Sequence, residues 1–169
     1  MGNLLFSPSG RIGPSKFLKG AIILIVLGAL LSLPAILGLP DIVGTIAGLI
    51  SFLLLWCWIA LWIKRYHDGG KSGWMSLVPI LAYVVLTLIV MGAIMGGSFM
   101  ELMNASMNGA DPETIKELEA AMTAETGLPV TIASIVISLV VAFLFNKLIK
   151  QDMHDNQFGP HLSTGETFT

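Results

Sequence analysis

The stretch Gly20-Ala21-Ile22-Ile23-Leu24-Ile25-Val26-Leu27-Gly28-Ala29-Leu30-Leu31-Ser32-Leu33-Pro34-Ala35-Ile36-Leu37-Gly38-Leu39 contains no charged residue. A helix needs about 20 apolar residues to cross about 30 Å of hydrocarbon. In that medium a helix can satisfy its backbone polar groups by itself. Working outward, a second uncharged stretch covers residues 42–63. A third opens after Lys71, and a fourth closes before Lys147. Spans are expected at about 18–39, 42–63, 73–96 and 128–149. The apolar/polar alternation of a membrane barrel is absent. The expected fold is an all-α membrane protein, a four-transmembrane-helix bundle forming one membrane domain over residues 1–169.

Composition agrees: 54% of the residues are hydrophobic and 12% charged, roughly half the charged share of a soluble domain. Too few charges remain to cover a water-facing surface. The single cysteine, Cys57, lies among apolar neighbours, so it reads as a packing residue and no intrachain disulfide can form. No cleavable signal peptide is expected ahead of the first span. Phe6 breaks the pattern that a myristoylated Gly2 would need.

The charges are sorted by side. Arg11, Lys16 and Lys19 precede the first span, Lys64, Arg65 and Lys71 separate the second from the third, and Lys147 and Lys150 follow the fourth. Only Lys116 of the nine basic residues falls elsewhere. Asp41, Glu101, Asp111, Glu113, Glu117, Glu119 and Glu125 occupy the opposite side. Because short cytoplasmic segments carry the Lys/Arg excess, both termini and the tail 150–169 are expected in the cytoplasm of a bacterium, with the chain in its inner membrane.

The outer loop, 98–127, is expected to hold a short amphipathic helix. Asp111-Pro112 reads as an N-cap with proline at the first helical position. Ile115, Leu118 and Met122 then share one face, and Gly127 and Pro129 end the helix. The third span is expected to end at Gly96-Gly97. Met91, Met95, Met100, Met103 and Met107 cluster before this helix. Thioethers can hold Cu(I), but gap-filling apolar packing is the better account, and neither metal nor cofactor is expected.

No charge falls in the middle of a span, which argues against an ion-coupled transporter or pump. A small oligomeric channel or transporter lined by Ser51, Thr87, Ser134 and Ser138 stays open as the alternative reading. Gly44/Gly48 and Gly92/Gly96 are spaced for close helix packing. Such faces can build the bundle itself and are compatible with a homo-oligomer.

The least ordinary stretch is Lys64-Arg65-Tyr66-His67-Asp68-Gly69-Gly70-Lys71-Ser72-Gly73-Trp74, read as one polar turn between two spans. Basic residues and aromatics at headgroup depth follow the ordinary rule for membrane proteins. Glycine-rich turns that lead into helices also make anion sites. Arg11, Lys64, Arg65, His67, Asp68, Gly69, Gly70, Lys71 and Trp74 are therefore the candidate site for lipid headgroups or phosphate, anionic lipid in particular. Gly70-Lys71-Ser72 is no P-loop, because Arg65 stands where that motif needs glycine. No catalytic residue emerges, and no nucleic-acid partner is expected. A lipid-headgroup enzyme using His67 and Asp68 is the weakest reading.

Phe6, Gly10-Arg11-Ile12, the Lys64 to Trp74 stretch and Asn156-Gln157-Phe158-Gly159-Pro160 together resemble the bacterial inner-membrane family called domain of unknown function 805 (YhaH-like). The resemblance runs through nearly the whole chain. Tyr66 stands where that family usually has leucine, and the acidic loop is longer than usual. The resemblance implies a small multi-pass membrane protein and no established activity. All three motifs fall on the basic side, so they are expected to share one polar cap: Arg11 or Arg65 pairing with Asp68, with Gly10, Asn156 and Gly159 as its structural members. A non-enzymatic membrane protein acting through protein partners or lipid is the leading expectation.

Overall fold

The computed structural model describes residues 2–162; Met1 and residues 163–169, the end of the expected tail, lie outside the described residues. A single helical turn, α1 (Gly2–Leu5), precedes α2 (Pro14–Ile36) and α3 (Asp41–Asp68). A 3₁₀ turn (Gly73–Ser76) leads into α4 (Leu77–Met107), and α5 (Pro112–Leu148) follows. No strand occurs among the described residues. Four of these segments are long and apolar enough to cross a membrane, which is the make-up of a multi-pass membrane protein.

The boundaries follow local chemistry. Pro14 occupies the first turn of α2, where its missing N–H is no loss. Gly38, at φ 61°, reverses the chain after α2. Asp111 caps α5: its Oδ1 accepts from the Glu113 and Thr114 amides, both at 3.0 Å. The Thr114 hydroxyl and amide hold the Asp111 carboxyl below the usual carboxylate range.

Three expected boundaries move. α4 runs through Gly96 and Gly97 to Met107, and α5 runs unbroken through Gly127 and Pro129. The segment expected as a separate amphipathic helix is therefore the start of α5. At a rise of 1.5 Å per residue these two helices reach about 46 and 55 Å, well beyond about 30 Å of hydrocarbon. They form a hairpin that extends past the bilayer core, where Ser98 donates to Glu125 across it at 3.0 Å. Gly127 serves close packing rather than helix termination: a Cβ there would stand 3.3 Å from Ile36 Cγ1 of α2. The third shift is at the basic side, where α3 continues through Lys64, Arg65, Tyr66 and His67 to Asp68. Only residues 69–72 form the connection expected to begin at Lys64.

Packing is tightest at the end carrying the basic residues. Phe17, Ala21 and Leu24 of α2 meet Cys57, Leu61 and Trp62 of α3 and Val141 and Ala142 of α5. Phe17 and Trp62 lie 4.4 Å apart by ring centroid, and Trp62 meets Phe145 edge-on at 6.3 Å. A Cβ on Gly20 would fall 2.7 Å from Leu61 Cδ1, so the Leu61 side chain of α3 packs directly onto the backbone of α2 there. α2 packs on α3 and α5, and α5 on α4, whereas α3 and α4 scarcely touch outside the 3₁₀ turn.

Candidate functional site: a buried polar cap

At the basic end the last turn of α3 brings Lys64, Arg65 and Asp68 into the protein, with 2%, 1% and 0% of their surface exposed. Buried charges persist only when they are compensated: here Arg65 and Asp68 are paired, and Lys64 is hydrogen-bonded to backbone carbonyls. Arg65 lies flat against the end of α5. Its Nε donates to Asn146 Oδ1 at 2.6 Å, and Nη2 donates to the Asn146 carbonyl at 2.9 Å and to the Ile149 carbonyl. Its Nη1 reaches Asp68 Oδ2 at 3.0 Å. The guanidinium thus caps carbonyls that the end of a helix leaves without partners. Asn146 in turn donates to the Pro14 carbonyl at 3.2 Å, which ties in the start of α2.

Arg11 approaches Asp68 from the other side. Nη2 contacts Asp68 Oδ1 at 3.4 Å and its carbonyl at 3.3 Å, and donates to the Asp152 carbonyl at 2.5 Å. Nη1 donates to the carbonyls of His154 at 2.8 Å and Gly159 at 3.3 Å. One guanidinium therefore joins the N-terminal segment, the α3 terminus and the tail. Lys64 points the other way, and its ammonium donates to the carbonyls of Asn3 at 2.7 Å and Leu4, closing α1.

The glycine turn and the tail interlock. Gly70 has φ 67°, and a Cβ there would meet Asp152 Oδ2 at 3.1 Å, so the position demands glycine for both conformation and space. Asp152 N donates to the Asp68 carbonyl at 2.8 Å. Asn156 Nδ2 donates to the His67 carbonyl at 3.1 Å and to Asp152 Oδ2 at 3.2 Å. The His154 amide and the Asn156 side chain hold the Asp152 carboxyl below the usual range. Asn156 and Gly159 exchange backbone hydrogen bonds of 3.1 and 3.0 Å, forming a closed turn. This turn lays Phe158 over His67, with ring centroids 3.7 Å apart and planes 3° from parallel. His67 Nδ1 sits 3.2 Å from the Gly10 carbonyl. The stretches around Gly10-Arg11, Lys64 to Asp68 and Asn156 to Gly159 thus meet in one network.

These three stretches fall within residues 5–160, which match the sequence model of a family described as Protein of unknown function (DUF805). The chain belongs to the DUF805 family. Neither the curated proteins nor the solved structures searched contain a match to it. In this DUF805 chain the nine candidate lipid residues do not stand together on one surface. Arg11, Lys64, Arg65 and Asp68 are turned inward, and His67 is half-buried under Phe158. Gly70, Lys71 and Trp74 remain at the surface, with Trp74 80% exposed. Several members of the network lie outside the residues singled out by sequence. Asn146 reads there as the end of an apolar span, and Asp152 as one more charge in a polar tail. An amide at the boundary of a span was the available signal for the first.

Proposed function

We propose that this DUF805 protein is a non-enzymatic inner-membrane protein with both termini in the cytoplasm. In this reading its basic face meets the headgroups of anionic lipid. The buried network is the frame for that face and Lys71 and Trp74 are the contact. The observation that carries the reading is the division of labour among the cations. Arg11, Lys64 and Arg65 donate to carbonyls and to Asp68 inside the protein. Lys71 is exposed on the glycine turn beside an exposed tryptophan. A lysine and an amphipathic ring at one level are suited to the membrane interface, and each basic residue near an anionic surface contributes about 1 kcal/mol.

The inward charges also argue for a frame rather than a reaction centre. Asp68 has both carboxylate oxygens engaged by guanidinium groups, and the ring of His67 is stacked and held to a carbonyl. A general acid or base needs a free path to a substrate proton.

The test compares two substitutions of equal charge. Lys71→Gln is expected to lower retention of phosphatidylglycerol or cardiolipin during mild detergent extraction, read by native mass spectrometry. Lys150→Gln, which lies beyond α5 and outside the turn, is expected to lower it less. Equal losses would reduce the patch to a generic positive-side signal.

A further inference from the structure

The bundle contains a half-open cavity of about 390 Å³, lined by all four long helices and by none of the cap residues. Its size falls in the range of ligand pockets, roughly 300–1,000 Å³. The space exists because α3 and α4 are joined at the 3₁₀ turn and then separate, while Gly28 and Ala29 of α2 and Ser134 and Ser138 of α5 are too small to fill the gap. Trp58 and Trp62 stand in the α3 wall. Ser51, Ser134 and Ser138, named above only for the alternative channel reading, border this space, whereas Thr87 is not among its lining residues.

The walls are predominantly apolar and carry no charged side chain. Ser32 donates to the Ala29 carbonyl at 2.8 Å, Thr131 donates to Ser32 at 3.2 Å, and Ser51 donates to the Ala47 carbonyl at 2.9 Å. These three hydroxyls are engaged on their own helices or on each other; Tyr83, Ser134 and Ser138 also border the space, and the rest of the lining is mainly hydrocarbon and aromatic carbon. An empty space would forfeit the dispersion contacts of its whole lining. Because the gap between α3 and α4 opens at the side of the bundle, bilayer hydrocarbon is the medium at its mouth.

The shape selects among apolar occupants. On α3 the wall extends from Ser51 to Trp62, about 16 Å at 1.5 Å per residue. The space open to the centre of a water molecule, spread over that length, has a cross-section on the order of 25 Å²; adding the water's own radius of about 1.4 Å widens the channel to on the order of 55 Å². A helix about 10 Å across needs on the order of 80 Å². A hydrocarbon chain, whose carbons keep about 4 Å from their neighbours, needs on the order of 20 Å². A transmembrane helix from a second copy is too thick, and a single extended chain fits. We propose that this cavity is a binding site for one acyl chain of a bilayer phospholipid, entering between α3 and α4 and packing against Trp58 and Trp62.

The chain has four tryptophans, so Trp56→Phe and Trp74→Phe leave emission from the two that line the cavity. This double variant of the full chain is reconstituted in phosphatidylglycerol vesicles, with and without bromine at mid-chain, since bromine quenches tryptophan on contact. Two further substitutions form a matched pair. Gly28 lines the cavity and Gly44 does not, yet a Cβ at either meets nothing within 4 Å, so a side chain can start at both positions without obstruction. Brominated chains are expected to quench the remaining emission. Gly28→Leu is expected to cut that quenching about two-fold by taking the chain's place against the wall, while Gly44→Leu leaves it unchanged. Unquenched emission would overturn the site, whether the cavity is closed or filled by another copy. Equal quenching in the two leucine variants would also overturn it, by placing the contact on the outer surface. Lys71→Gln is expected to leave the quenching intact, so this test and that of the headgroup contact fail separately.

Discussion

Asp68 shows at the scale of one residue how the end of the bundle is held. Its carboxylate is fully buried between Arg65 and Arg11. A buried ion pair adds little net stability, because desolvation offsets attraction, but removing one partner leaves an uncompensated charge at a cost of about 3–5 kcal/mol. Asp68→Ala strands two guanidiniums, so a large drop in melting temperature in detergent is expected. Glu117 is exposed near the start of α5, and Glu117→Ala is expected to shift the melting temperature little, as surface charges are worth about 0–1 kcal/mol. Small and equal shifts would demote Asp68 to a turn residue. The sequence offered Arg11 or Arg65 as the partner of Asp68, and the structure uses both. The stacking of His67 on Phe158 lay beyond sequence reasoning, since ninety residues of chain separate two rings that neither periodicity nor charge relates.

Among the elements, α4 and α5 hold the largest departure from expectation, and glycine is its cause. Glycine pairs read as stops when only backbone freedom is considered. In α4 and α5 the helical ladder persists through Gly96, Gly97 and Gly127 because extending a helix satisfies the next amide and carbonyl at little cost. The two sites differ in surroundings. Gly97 faces open space, whereas a Cβ on Gly127 would press on Ile36. Gly97→Ala is therefore expected to be neutral or to stabilise by up to about 1 kcal/mol through helix propensity. Gly127→Leu is expected to destabilise by about 1–3 kcal/mol through overpacking. Thermal unfolding of both variants in one detergent checks the contrast. A silent Gly127→Leu would show that α2 and α5 are not held close at that level.

For the whole molecule, the up-and-down course of four helices gathers the first and last described residues at the pole where the basic residues lie. The α4–α5 hairpin then extends beyond the opposite pole, with Glu101, Asp111, Glu113, Glu117, Glu119 and Glu125 on it. The orientation proposed above rests on charge alone, since short cytoplasmic segments carry the Lys/Arg excess. A reporter fused after Thr169 is expected to read cytoplasmic, and one inserted at Asn108, at the hairpin tip, to read periplasmic. Both reporters on one side would remove the four-span arrangement.

The number of spans, their order, the separation of charges and the three polar motifs were all written in the sequence, because hydrocarbon imposes a length and a polarity on any segment that crosses it. Those constraints act on each segment separately and need no partner. Which cations face inward was decided only by the tertiary structure. Arg11, Lys64 and Arg65 are equivalent to Lys71 in a count of positive charge, but the carbonyls that absorb the first three come from α1, the end of α5 and the tail. The cavity has the same origin: it arises where α3 and α4 diverge, and no local pattern records the distance between two helices. Sequence determined what each segment could enter, and packing determined which polar groups were already spent once the segments met.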